Sequence, residues 1–297
     1  MAVIETNTKS SLHTRSNSFP SASHPLVSQF EEHLQRLKGS EATSLLSSSS
    51  VTYKLNGMQA LHDSADRLLQ LPIEQEALAR ECKDKWIDDL LEGSLRLLDI
   101  CSTAKDCLLQ SKENMYELQS VVRRRKGNEN EFTIEGVKYL ASRKKMKKLI
   151  GKALENLKAI KNEHRASSSN KDKATLSMHS FLKEAEAVTL RSLESLLLFI
   201  SDPKGHSNHS RWSAIPKLMT PKRAVCDSRE SNTNEFEKVD TALQSLTSHK
   251  PSSIENFLTH MENLEMCIQD LEIGVENLSR KLIRNRVSLL NIFSHQS

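Results

Sequence analysis

The C-terminal stretch FLTHMENLEMCIQDLEIGVENLSRKLIRNRVSLLNI, residues 257–292, decides the fold class of this chain. Its apolar residues alternate at spacings of four and three, which is typical of one face of a long helix. Such a stripe must be buried, either against the chain's own helices or against a second copy. We favour the first, because earlier segments have matching faces. The stripe is interrupted at Asn285 and consists of Phe257, Met261, Leu264, Ile268, Leu271, Val275, Leu278, Leu282, Leu289 and Ile292.

The middle of the chain carries a similar pattern. Between Pro72 and Pro203 there are 130 residues without proline, which favours long helices. We predict helices over about 132–161 and 173–200, and a short amphipathic helix from Pro25 to Gly39. Trp86 is predicted to be a core anchor at the start of a heptad-like stripe. That stripe consists of Leu90, Ser94, Leu97, Cys101, Ala104, Leu108, Ser111, Met115, Leu118 and Val122.

Composition also argues for helices and against most other fold classes. The chain has 297 residues, of which 37% are hydrophobic and 4% aromatic, with eight Gly and seven Pro. A β-sandwich needs more aromatic and β-branched strands and more Gly/Pro turns than this. No GxGxxG, GxxxxGK[ST], GxSxG or HExxH motif occurs. We therefore predict an all-α protein, an elongated bundle of long, mostly antiparallel helices, with no enzymatic activity and no cofactor or metal.

Changes in composition along the chain predict its organisation. Residues 1–23 are rich in serine and poor in apolar bulk, which predicts a disordered tail. Residues 24–51 combine a short helix with a linker containing Ser47–Ser50. Residues 52–200 form the helical body, residues 201–231 a surface linker, and residues 232–297 the C-terminal helices that pack on the body. Asn232 or Thr233 is expected to cap the first of these helices, and Ser252 with Glu255 the second.

The chain gives several indications of its compartment. Its five cysteines are widely spaced with no CxxC, which favours a reducing environment. The N-terminal residues MAVIETNTKS lack the apolar region of a secretory signal. The longest aliphatic and aromatic run, Leu196–Ile200, is too short to span a bilayer. We expect a cytoplasmic or nuclear protein, with a chloroplast transit peptide as the alternative reading of the Ser-rich tail.

The tail contains a candidate phosphorylation site. Arg15, Ser16, Ser18 and Pro20 fit the R-S-x-S-x-P pattern that a 14-3-3 protein binds when the second serine is phosphorylated. A phosphate on Ser18 would add roughly −2 charge and three strong acceptors that an arginine cluster can grip. The alternative is a serine-rich tail in which one Arg and one Pro fall at these positions by chance.

A basic region is the second candidate site. Residues 121–165 hold 14 Lys or Arg and five Asp or Glu. This cluster could act in nuclear import, bind an anionic membrane surface, or bind nucleic acid, which is disfavoured because no aromatic residues are interleaved. The remaining alternative is a solvated or internal role, since residues 227–281 hold 11 acidic and five basic residues. The core of the basic region is Arg143, Lys144, Lys145, Lys147 and Lys148.

Several blocks resemble one plant family. They include HTRSNSFPSASHP at 13–25, KWIDDLLEGSLRLLD at 85–99, YLASRKKMKK at 139–148 and RKLIRNRVSLLNIFS at 280–294. In this order they resemble the plant BYPASS-related family, over about residues 13–294. The resemblance implies a setting in root and shoot development, and no enzymatic activity is established for that family. We therefore expect a regulatory protein that binds protein partners. The alternatives are a peripheral membrane protein that uses the basic helix, or an enzyme of unknown chemistry.

Overall fold

The computed structural model describes residues 24–40, 47–81, 84–124, 129–167, 178–201, 233–248 and 254–294. These residues form helices and no strand, which confirms the all-α prediction. The predicted disordered tail, the surface linker and the Ser252 cap lie outside the described residues. The helices are α1 Pro25–Gly39, α2 Ser48–Leu69, α3 Pro72–Glu81, α4 Asp84–Arg123, α5 Glu129–Ser167, α6 Met178–Ser201, α7 Glu235–Thr247 and α8 Ile254–Ser294.

The two longest helices, α4 and α8, form the spine of the bundle. They run antiparallel, since Arg286 donates to the Leu91 carbonyl at one end and Gln119 donates to Glu265 at the other. Every apolar residue of the predicted α8 stripe is buried within this one chain. The α4 stripe is likewise buried, except that Ser94 is half-buried. The intramolecular packing that we favoured for the C-terminal helix is therefore what the structure shows.

Different helices complete the two ends of this spine. At one end α2 packs on α8 and α6 packs on α4. Helix α2 runs parallel to α8, since Lys281 donates to Asp63 and Ser288 donates to Asp66 further along both helices. Gln59 donates to the Gly274 carbonyl over 3.1 Å, and a Cβ on Gly274 would lie 2.9 Å from Leu55 Cδ1. A side chain at position 274 would therefore require the Leu55 side chain to shift, so glycine favours the close approach of α2. At the other end α5 packs on α4 and α7 packs on α8.

The structure corrects some local predictions. The serine run does not form a linker, because Ser48 already begins α2. Asn234, rather than Asn232 or Thr233, caps α7 by accepting the Glu237 N–H over 2.8 Å. Trp86 is not a core anchor, because it is 43% exposed and stacks on His179 at the surface. The prediction extended the α4 stripe to the wrong residue: Ile87, three residues before Leu90, is the one that packs against the core.

Candidate functional site: the lysine face of helix α5

The basic core of α5 divides between the interior and the surface. Lys144, Lys145 and Lys148 are exposed, together with Lys152 one turn further on. These four side chains, which we call the lysine face, lie on one side of α5 because they are spaced at three and four residues. Lys152 was not among the predicted site residues, although its spacing from Lys148 was a signal for it.

Arg143 does not belong to this surface, which corrects the prediction. Its side chain is only 2% exposed. The guanidinium donates from Nε to both carboxylate oxygens of Asp240, over 3.2 and 3.3 Å. A second donor, Nη2, bonds the Ile200 carbonyl over 3.0 Å, and the guanidinium carbon lies 4.7 Å from the Phe236 ring centre. Arg143 is thus a buried anchor that ties α5 to α6 and α7.

The anchor exists because helix α6 ends inside the protein. The last carbonyls of a helix lack partners within the helix, and a buried carbonyl without a partner is costly. The Ile200 carbonyl accepts from Arg143, and the Phe199 carbonyl accepts from the Asn234 amide over 2.6 Å. A cation at a helix C-terminus is also favoured by the helix dipole.

The predicted internal neutralisation of the basic region occurs only in part. Asp240, from the acidic segment 227–281, contacts Arg143 and also pairs with Lys147 Nζ over 3.3 Å. Lys147 remains half-exposed. Burial raises the pKa of the nearby Tyr139 hydroxyl well above its usual range, with the Asp240 carboxylate as a smaller cause. The lysine face is therefore solvated, while Arg143 and Lys147 are held by Asp240.

A second buried polar group lies at the other end of the spine. Asn285, the polar residue of the α8 stripe, donates from Nδ2 to His62 Nδ1 over 3.0 Å. The proton of the neutral His62 ring then sits on Nε2, which donates to Thr189 Oγ1 over 2.8 Å. Burial lowers the pKa of His62 to about 4. The layer joins α2, α6 and α8.

A small cavity borders this layer. Its volume is about 40 Å³, and Ser94, Glu186 and Leu282 are among the residues that line it. Asn285 Oδ1 has no hydrogen-bond partner among the described residues. At roughly 10–15 Å³ for each water, the cavity has room for about three waters. It is far below the roughly 300 Å³ of a typical ligand pocket.

The described cysteines are poor nucleophiles. Burial raises the pKa of the Cys101 thiol to about 12 and that of Cys107 to about 11. Thiols with such pKa values carry almost no thiolate at neutral pH. Within the described ranges, no cluster of three or more His, Cys, Asp or Glu side chains has metal-binding geometry. The predicted phosphorylation motif of Arg15, Ser16, Ser18 and Pro20 lies outside the described residues.

These features define an all-α bundle whose buried polar groups link helices and which carries a cluster of exposed lysines on one face of α5. A family model described as Protein BPS1 matches residues 54–292, so the chain belongs to that family. Membership supports the plant developmental setting that the resemblance implied. No curated protein and no solved structure matches the chain. Among the described helices, none has the length and apolar character needed to cross a membrane.

The first prediction concerns the Arg143 anchor. Asp240→Ala leaves the guanidinium buried without its carboxylate, which should lower the free energy of unfolding by about 3–5 kcal/mol. The matched control is Glu76→Ala, which removes the exposed partner of Arg80 and should change stability by less than about 1 kcal/mol. Urea unfolding of both variants measures the difference. Equal losses in the two would contradict the anchoring role.

The second prediction is a pH dependence of stability that arises from His62. The pKa of His62 is about 4 in the folded protein against 6.5 in the unfolded chain. The unfolded chain therefore binds the proton more tightly, and stability should fall by roughly 3 kcal/mol between pH 6.5 and pH 4 from this group. His62→Gln should remove that part of the slope, measured by urea unfolding across this pH range. Parallel curves for the two proteins would contradict it.

Proposed function

We propose that this BPS1-family protein acts without catalysis, as a regulatory protein that binds protein partners during plant root and shoot development. The observation that carries the proposal is the apolar outer surface of its long helices. On α4, Leu95, Leu109 and Tyr116 lie in line at multiples of seven residues and remain 41%, 44% and 46% exposed. Aligned apolar side chains on an outer face are typical of partner-binding helices.

The chemistry of the interior supports a role without catalysis. In an enzyme, the pKa values of catalytic groups are shifted toward the working pH, so that these groups can exchange protons or attack a substrate. Burial moves His62, Cys101 and Cys107 in the opposite direction, toward their neutral and unreactive forms. The buried ion pair of Arg143 and Asp240 has a structural role, because it joins α5 to α7.

We further propose that phosphorylation regulates partner binding through the N-terminal tail. Phosphorylated Ser18, with Arg15, Ser16 and Pro20 around it, would bind a 14-3-3 protein in the cytoplasm or nucleus. The supporting observation is the complete match of the motif in a serine-rich segment that precedes α1.

Substitution of Ser18 tests this proposal. In plant cells, proximity labelling and pull-down with the wild type should enrich 14-3-3 proteins, and Ser18→Ala should abolish that enrichment because no phosphate can form. Ser10→Ala is the matched control, since Ser10 has no arginine three residues before it and should leave the partners unchanged. Identical partner lists for wild type and Ser18→Ala would remove the regulatory role of the tail.

A second candidate function is peripheral membrane binding. The observation that favours it is the exposed Leu149 beside the lysine face, with exposed Ile134 and Val137 nearer the start of α5. A basic helix surface with interspersed apolar side chains binds anionic lipid through both contacts. The lysine face would then meet the phospholipid head groups while Leu149 enters the interface.

Vesicle sedimentation tests the membrane candidate. Binding to vesicles of phosphatidylcholine with phosphatidylserine should fall roughly hundredfold in the triple variant Lys144→Gln, Lys145→Gln, Lys148→Gln, at about 1 kcal/mol per lysine. Its control is Arg36→Gln, Arg67→Gln, Arg80→Gln, which removes the same charge from exposed sites on other helices. Equal binding by both variants, or no preference for acidic vesicles, would exclude this function.

A further inference from the structure

Helix α8 carries a second stripe on the face opposite its buried one. Its members also alternate at spacings of three and four residues, and seven of the eight are exposed. Five are large and apolar, and these keep 42–59% of their surface exposed. We call this set the outer stripe. It consists of Met266, Gln269, Ile273, Glu276, Arg280, Ile283, Val287 and Leu290.

None of the described helices covers the outer stripe. Residues 266–290 span about 36 Å at 1.5 Å per residue. The exposed Leu109 and Tyr116 of α4 widen the acidic end of this surface. The position of this part of α4 beside the acidic half of α8 is shown by two ion pairs, Lys105 with Glu276 and Lys112 with Glu272, over 2.5 and 2.8 Å. An exposed surface of this length with five large apolar side chains is typical of an interface.

The charges along α8 are segregated by sequence. Residues 254–278 contain six Asp or Glu and no Lys or Arg, whereas residues 279–294 contain four Lys or Arg and no Asp or Glu. The boundary falls in the middle of the outer stripe, between Glu276 and Arg280. A second α8 laid antiparallel would set each acidic half against a basic half, whereas a parallel one would oppose like charges.

We propose that a second copy of this chain docks antiparallel on the outer stripe, with a two-fold axis that meets the exposed face of α8 at the level of residue 278. This symmetry places Ile273 opposite the partner's Ile283 and Met266 opposite the partner's Leu290. Glu276 then meets the partner's Arg280, and every contact occurs twice, as a two-fold interface requires. Asp270 lies near the partner's Arg284, and both of these residues are exposed in the single chain.

This arrangement differs from the dimer that the sequence left as the alternative, in which the stripe from Phe257 to Ile292 would pair with a second copy. The stripe from Phe257 to Ile292 is already buried against the chain's own helices. The second copy therefore binds the opposite face of α8, and the core of each chain stays intact.

Analytical ultracentrifugation of the full chain over a dilution series tests the proposal. The wild type should sediment with twice the chain mass of 33.6 kDa. The variant Ile273→Lys, Ile283→Lys should sediment with the mass of one chain, because the lysines of the two copies face each other. The matched control Ile134→Lys, Val137→Lys makes the same change on exposed residues of α5 and should remain dimeric. Circular dichroism verifies that each variant folds.

A charge exchange tests the antiparallel orientation. Arg280→Glu should raise the dimer dissociation constant roughly tenfold or more, because it sets like charges in contact at two symmetric places. Adding Glu276→Arg together with Lys105→Glu should restore the wild-type constant, since each new glutamate at 280 again faces an arginine and the ion pair between positions 105 and 276 of one chain is kept. A monomeric wild type at every concentration overturns the proposal. A dimer that Arg280→Glu leaves unchanged, or that the triple exchange does not restore, also overturns it.

Discussion

Burial of the apolar α8 stripe from Phe257 to Ile292 is the constraint on which the rest of the bundle depends. An apolar stripe of this length cannot remain in water, and α2 and α4 supply the two faces that cover it. Their packing fixes α4 antiparallel and α2 parallel to α8. The remaining helices then fill the two ends, with α6 on the α2 side and α5 with α7 on the other. The arrangement of the bundle thus follows from the α8 stripe, which the neighbouring helices each cover over part of its length.

An apolar seam alone does not define how helices are placed along one another. Two leucine-rich faces pack nearly as well after a shift of one turn, whereas a buried polar group that loses its partner is strongly penalised. The His62, Thr189 and Asn285 layer opposes such a shift of α2, α6 and α8. The Arg143 anchor does the same for α5 and α7 at the opposite end. In both places a polar side chain interrupts a stripe that would otherwise be apolar, as a buried asparagine does in coiled coils.

Residue periodicity in the sequence predicts the helices and their buried faces. It does not predict contacts between residues that are far apart in the chain. The stripes of α4 and α8 follow from local spacing, so the all-α fold and most of the core can be predicted from the sequence. The sequence analysis grouped Arg143 with its lysine neighbours as a surface cluster, because a run of charged residues does not by itself indicate which member points inward. The spacing Phe132, Gly136, Tyr139, Arg143, Met146, Ile150 already places Arg143 on the buried face. Its partner Asp240, 97 residues away, carries no such signal.

Helix α8 carries two apolar faces, one buried in the bundle and one exposed. Acidic residues near the start of a helix and basic residues near its end favour the helix dipole, so charge segregation alone has an explanation within one chain. The dipole acts within the terminal turns and gives no reason for Ile273, Ile283 and Val287 to remain in water at the centre. Nor does it place the charge boundary at the midpoint of the outer stripe. The antiparallel pairing that we propose explains both features, because it would cover the apolar side chains and oppose unlike charges about one axis.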